Sequence, residues 1–439
     1  MVPANTLEGG ESPARRIPSV EGARGIAALS VLTFHVLQAQ EASWLAPITS
    51  RLWTGVPLFF AISGFVLFRP FARAIVSGQD WPSLRRYAVA RTLRIFPALW
   101  AVTAVWLLVF SEHMRAGVLT MAAVCAFSVV VWMPPTKTIT KALVVIGVPG
   151  LAISAAFYAT FFADRPSTFQ AIRQFLLLQL YTFEKPIVVI GPVWTLCIEL
   201  GFYLLLPVIS WAMLHVTRTS SLAPSTVVGG SLIALAVFGL VYNWFMGWGY
   251  GLPTTVPGFV PQFSAGMWLA LASEYRWFSR QGWPLGAIAI AVVAVAIALQ
   301  TAGPANNTEG SGPLFGALMA AAFALGLGSV ILPHRPNFLS QLLSLRPIVW
   351  LGTISYGMYL WHYPVILWAQ DHISAVPGAT NYVLVLGATL ALASGSWHFI
   401  EQPVIGASRC SRAGTRGFLL APQPVNRADA GRAPGYVAP

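Results

Sequence analysis

Apolar runs of about twenty residues recur along almost the whole of this chain, and that repetition constrains the fold more than any other feature. A helix rises about 1.5 Å per residue, so a run of this length crosses roughly 30 Å of hydrocarbon. Of 439 residues 56% are hydrophobic and 9% are charged, whereas soluble domains carry charge at about 25% of positions. The polar surface that a water-soluble fold of this size needs is missing. The fold class expected is all-α, a polytopic transmembrane helical bundle of about ten to twelve spans.

The runs fall near 20–40, 54–77, 93–112, 117–133, 141–163 and 192–215, then near 225–248, 256–274, 283–302, 313–333, 347–370 and 379–402. The stretch 167–183 is apolar only in its second half and reads as interfacial or re-entrant. The first run is interrupted by Arg24 and His35, unlike the apolar core of a signal peptide, and is expected to be retained.

Charge sets the orientation. Placing loop 69–94 inside collects Arg69, Arg73, Arg85, Arg86, Arg91 and Arg94 on the cytoplasmic face. Lys137 and Lys141, Arg218, Arg276 and Arg280, Arg335 and Arg346, and Arg409 with Arg412 then fall on the same side, with both termini cytoplasmic. The net charge of +12 is thus a topology signal, and no nucleic-acid partner is expected. Residues 1–16 read as a cytoplasmic tail and 17–403 as one membrane domain. The segment 404–439, rich in Pro, Gly, Ala and Arg, reads as a disordered cytoplasmic tail. Cys125, Cys197 and Cys410 are far apart and lack metal-ligand spacing, so neither a disulfide framework nor a metal site is expected.

Ionisable side chains at bilayer depth cost several kcal/mol unless paired or hydrated, so those present call for a function. Arg24 and His35 lie eleven residues apart, near three helical turns, and share one face about 16 Å apart. Arg24 is then near the cytoplasmic interface and His35 in the outer half. Counted from helix ends, Glu199 and His362 are each about 10 Å deep from the outer side, so all three are expected at one level. A carboxylate that orients a histidine ring and stabilises its imidazolium suits general-base chemistry, which pairs His35 with Glu199. Blander readings stand beside these: an interhelical hydrogen bond for His35, an aromatic belt around His362, a helix cap for Glu199, and topology anchors for Arg91 and Arg94.

The motifs then carry a resemblance. Glu21-Gly22-Ala23-Arg24-Gly25 leading to His35, Leu58-Phe59-Phe60 with Ser63-Gly64-Phe65, and Arg91-x-x-Arg94-Ile95-Phe96-Pro97 occur in order. Trp194-Thr195-Leu196-Cys197-Ile198-Glu199 with Phe202-Tyr203 follows, then Ile354-Ser355-Tyr356, Tyr359-Leu360-Trp361-His362-Tyr363-Pro364 and Phe399-Ile400-Glu401-x-Pro403. Over about 17–403 the chain resembles the acyltransferase 3 family of bacterial inner-membrane proteins, which move acyl groups onto extracytoplasmic acceptors. Glu21 stands where the family has aspartate, Leu200 replaces a second acidic residue, and the hairpin 117–163 exceeds the family's usual ten spans.

The resemblance implies transfer of an acyl group, with acetyl foremost, from cytoplasmic acyl-CoA to a hydroxyl of an extracytoplasmic sugar, glycolipid or secreted metabolite. It implies His35, Glu199 and Arg24 as catalytic candidates and Arg91 and Arg94 as phosphate contacts for the donor, with His362, Tyr203 and Ser63 as candidate substrate contacts. No permanently bound cofactor is implied, and the partners expected are acyl-CoA, the hydroxyl acceptor, the bilayer and a separate extracytoplasmic protein where one is needed. The rival from another class is a proton-coupled secondary transporter, which also uses intramembrane His, Glu and Arg. A structural partner in an envelope complex is a third reading.

Overall fold

The computed structural model describes residues 17–40, 51–110, 177, 191–246, 255–275, 283–301, 313–333 and 335–406. Among them regular structure is entirely helical. The long helices are α1 (Pro18–Ala39), α2 (Gly55–Val76), α3 (Leu84–Phe110), α4 (Trp194–Thr219), α5 (Pro224–Met246), α6 (Val256–Glu274), α7 (Trp283–Thr301) and α8 (Pro313–Ile331). Two short helices follow, α9 (Phe338–Leu343) and α10 (Arg346–Thr353), then α11 (Ser355–His372) and α12 (Gly378–Ser396), which ends in a π-turn over Trp397–Glu401.

Five helices among the described residues are long and apolar enough to cross a membrane: α1, α2, α4, α5 and the continuous Gly378–Gly406 stretch. The expected apolar runs near 117–133 and 141–163, and most of 167–183, lie outside the described residues, as do 1–16 and 407–439. One expected span is corrected. The run 347–370 is not a single helix but α10 and α11, separated at the buried Ile354. Ser355 Oγ donates to Gly352 O at 2.8 Å, which satisfies a carbonyl that the break would leave unpaired. The helix α9, held at its start by Asn337 accepting from Ser340 N at 2.8 Å, was not anticipated at all.

Two close seams hold the bundle. In the first, α2 and α6 run parallel: Phe60 packs on Phe259 and Phe263, and further along Arg73 pairs with Glu274. The helices approach so closely that a Cβ on Gly64 would stand 2.3 Å from Phe263 O, and one on Gly266 1.8 Å from Ala61 O. Small residues of this kind are what lets membrane helices bring their backbones together. In the second seam α10 and α11 run alongside α1. A Cβ on Gly25 would meet Gly352 N at 2.7 Å and one on Gly352 would meet Glu21 O at 1.8 Å, and further along His35 faces His362. The motif glycines are therefore contact points between backbones.

These contacts yield a stability prediction. Alanine normally favours a helix over glycine by about 1 kcal/mol, and Gly387, with nothing within 4 Å of its added Cβ, should tolerate Gly387→Ala with an unchanged or higher Tm in detergent. Gly266→Ala should instead lose about 1–3 kcal/mol or more through overpacking. Equal melting temperatures for the two variants would refute the seam.

Candidate active site

The chemistry-bearing residues gather into two stations on the inner faces of α1, α2, α3, α4 and α11. The first is a histidine pair. His35 Nδ1 lies 3.0 Å from Val31 O and 3.1 Å from His362 Nε2. His362 is fully buried, and its Nδ1 lies 3.2 Å from Met358 O. A carbonyl only accepts, so each Nδ1 carries the hydrogen, and the neutral His362 ring presents a lone pair at Nε2. His35 Nδ1–H is then shared between Val31 O and His362 Nε2, a three-centre arrangement. The consequence is that the basic nitrogen of neutral His35 is Nε2, which has no hydrogen-bond partner among the described residues. If that nitrogen takes a proton, the Nδ1–H bond to His362 becomes charge-assisted and stronger.

Aromatic side chains wall the pair. Tyr363 meets His35 edge-on at 6.1 Å between ring centroids, and Tyr359 lies 5.8 Å from His362. Tyr359 OH donates to Pro192 O and lies 2.5 Å from Thr195 Oγ1. This ties α11 to the 3-10 turn Gly191–Val193 that leads into α4. At the far end of α1, Thr33 Oγ1 lies 2.9 Å from Tyr382 OH, and Gln40 Nε2 donates to Asn381 Oδ1 at 3.2 Å. These contacts hold the His35 turn against the α11–α12 hairpin.

The second station is a cluster of arginines and carboxylates. Glu199 Oε1 accepts from Ser63 Oγ at 3.0 Å and from Tyr203 OH at 2.5 Å. Arg24 ion-pairs loosely with Glu21 at 3.7 Å and is within coulombic reach of Glu199 and Arg94. The Arg91 guanidinium lies over the Tyr203 ring, 5.8 Å from its centroid, with a buried Nε that has no acceptor among the described residues. Arg94 donates to Glu401 Oε2 at 2.9 Å and stands over Tyr356, 5.3 Å from the ring centroid. Tyr356 OH in turn donates to Ile95 O at 2.5 Å, fixing α3 to α11.

The expected common level of Glu199 with His35 is corrected by this geometry. Glu199 belongs to the arginine station, and the ring partner of His35 is His362. Depth counted from the start of α4 misleads because that start is itself inside the bundle: Pro192 and Thr195 are buried and bonded to Tyr359 of α11. Ser63 and Tyr203 meet on Glu199, His362 joins His35, and Arg24 is near Glu199 as well as on the helix of His35. Glu401, quoted in the sequence only as part of a motif, emerges as the partner that holds Arg94. Its carboxylate is 2% exposed, and a buried acid in an apolar helix end was the signal available. Among the described residues no group of three or more His, Cys, Asp or Glu side chains is placed to hold a metal.

Helices converging on a histidine pair, one ring fully buried and the other half-buried, and on a half-buried arginine station define an intramembrane site for polar chemistry. The model of the acyltransferase domain family matches residues 17–398, and the chain belongs to that family. It is similar to the peptidoglycan O-acetyltransferase OatA of Listeria monocytogenes, 23% identical over 405 residues, covering 88% of this chain and 56% of that protein. The putative peptidoglycan O-acetyltransferase YrhL of Bacillus subtilis is 26% identical over 414 residues, covering 89% of this chain and 55% of YrhL. The O-acetyltransferase OatA of Staphylococcus aureus is 23% identical over 399 residues, with 89% and 57% covered. The chain thus spans little more than half the length of these curated relatives. No solved structure matches it.

Removing one member of a buried ion pair strands the other and costs about 3–5 kcal/mol, whereas replacing both with apolar side chains costs far less. Glu401→Leu alone should therefore lower the detergent-solubilised Tm sharply, and adding Arg94→Met should recover most of the loss. Additive losses in the double variant would show that the pair does not carry the α3 contact.

Proposed function

We propose that this protein is a membrane O-acyltransferase that moves an acyl group, acetyl in the first instance, from cytoplasmic acyl-CoA to a hydroxyl on an extracytoplasmic acceptor. The acceptor class that the relatives' names favour is a cell-wall glycan. The observation that carries the reading is the His35–His362 bond, which leaves His35 Nε2 as the basic nitrogen of a ring that can be stabilised once protonated.

In this mechanism the acceptor hydroxyl gives its proton to His35 Nε2 while its oxygen attacks the thioester carbonyl carbon. A C–O bond forms and the C–S bond breaks. The imidazolium then returns the proton to the departing thiolate, so the thiol leaves neutral and the ester remains. General-base assistance of this kind contributes typically about 10² to 10⁴-fold. His362 takes the orienting role that Glu199 was expected to have.

The donor's phosphates fit the arginine station. Arginine forks match phosphate geometry, and Arg91 carries a guanidinium with no ion pair among the described residues. Arg94 is already engaged by Glu401, so Arg24 and Arg91 are the principal contacts. Arg24 and His35 are about 16 Å apart on one helix face, a span that the extended pantetheine arm of CoA can bridge. The arginine-rich end then faces the cytoplasm, both termini lie there, and the protein sits in the bacterial cytoplasmic membrane. Ser63 and Tyr203 complete the donor-side lining through Glu199.

Membranes carrying wild-type protein, supplied with radiolabelled acetyl-CoA, should transfer label to glycan, lipid or small-molecule fractions. His35→Ala, at equal protein level, should lose about 10² to 10⁴-fold of that transfer. His362→Ala should lower kcat with little change in donor KM, and His362→Gln, whose amide oxygen also accepts, should recover part of the rate. Undiminished labelling by His35→Ala would remove this histidine from the mechanism, and gradient-driven uptake without transfer would support a transporter instead.

A further inference from the structure

The segment from Arg335 to Trp350 faces two ways. Its inner side packs on the start of α1: a Cβ on Gly22 would stand 1.9 Å from Leu343 O, and one on Gly25 2.8 Å from Ile348 O. Its outer side is exposed and carries an apolar row beside Gln341 and Ser344. Phe338 is 80% exposed, and Leu342, Leu345 and Trp350 are 39%, 51% and 42% exposed. Exposed arginines, Arg335 before α9 and Arg346 at the start of α10, flank Phe338, Leu342 and Leu345, with Trp350 one turn beyond Arg346, and neither holds an ion pair among the described residues.

We infer that α9 and the start of α10 form an interfacial element that inserts its apolar row among the acyl chains of one leaflet while Arg335 and Arg346 bind anionic phospholipid headgroups. Three observations favour this occupant. The row has the make-up of an interfacial helix, with aromatic and leucine side chains on one side and basic residues at its edge. Its register along α1 places Arg346 beside the first turn of that helix, the level at which a membrane helix meets the headgroups. Trp350 has the amphipathic ring enriched at that boundary. The charge complement is anionic, since the same end of the bundle carries Arg69 and Arg73 and at that contact a single acid, Glu274, answers both. The element does not depend on the reaction proposed above.

The test uses the full chain in vesicles of phosphatidylcholine, with or without phosphatidylglycerol. A nitroxide is attached at Phe338→Cys or, separately, at Leu342→Cys, with Cys125 and Cys410 replaced by serine; Cys197 is 1% exposed and stays unlabelled. Power saturation against oxygen and a water-soluble nickel chelate should place both labels below the headgroups. Phosphatidylglycerol titrated into mixed micelles should immobilise them, and Arg335→Gln with Arg346→Gln should move the midpoint up about twenty-five-fold, each arginine near an anionic surface being worth roughly fivefold. Labels accessible to the nickel chelate in vesicles would overturn insertion. An unchanged midpoint in the double variant would overturn headgroup recognition, and spin–spin broadening between labels would assign the face to a second copy of the chain.

Discussion

In hydrocarbon a polar group has no water to answer it, so a buried polar atom is costly unless another part of the protein meets it. Much of this fold can be read as a set of such answers. The Ile354 break is met by Ser355, the start of α4 by Tyr359, and the Arg94 guanidinium by Glu401. Two of these answers, Tyr359 to Pro192 and Arg94 to Glu401, join helices far apart in sequence, and the third closes within three residues. The polar groups therefore fix which helices are neighbours, while the glycine seams decide how near they come.

The histidine pair depends on both. His35 reaches His362 because α1 lies parallel to α10 and α11, and at the α10 end of that seam Gly25 and Gly352 remove the side chains that would hold the backbones apart. The tautomer follows from geometry and not from a neighbouring carboxylate. Val31 O and Met358 O each demand a hydrogen on Nδ1, and the remaining nitrogens take their roles by exclusion. An aspartate or glutamate in place of His362 would hold the ring as well, but at the cost of a charge at depth. A neutral imidazole acceptor avoids that cost, and in the proposed mechanism it still stabilises imidazolium when it forms.

What the sequence conveyed about this arrangement depended on which quantity was being read. Helix placement was legible because apolar length is a local property: the runs expected near 54–77, 256–274 and 313–333 match α2, α6 and α8 closely. Identity of the polar residues was legible for the same reason, since Arg24, His35, Glu199 and His362 stand out against apolar surroundings. Pairing was not. Depth counted from helix ends assumes that every helix starts at the membrane surface, and α4 starts in the bundle interior. The α10–α11 break was hidden because Ile354 and Ser355 do not interrupt an apolar run; only the hydroxyl that repairs the break betrays it. Glu401 was overlooked because its worth lies in its partner, and Arg94 is 307 residues away in sequence.

The arginine station shows how the two kinds of information combine. Three guanidinium groups at depth would be prohibitive alone, and three carboxylates, Glu21, Glu199 and Glu401, make the group formally neutral. The balance is uneven in strength. Glu401 is buried and holds Arg94 at 2.9 Å, whereas Glu21 is partly exposed and reaches Arg24 only at 3.7 Å. Glu199 spends one oxygen on two hydroxyls and makes no ion pair within 4.0 Å among the described residues. On the proposed reading an incoming anion engages Arg24 and Arg91, whose charges are only loosely committed, more readily than Arg94. The cluster's formal net charge is near zero, and two of its three cations are held at a distance from the carboxylates instead of in contact. For the charged donor proposed above, tight pairing throughout would make a stronger structural core and a poorer site.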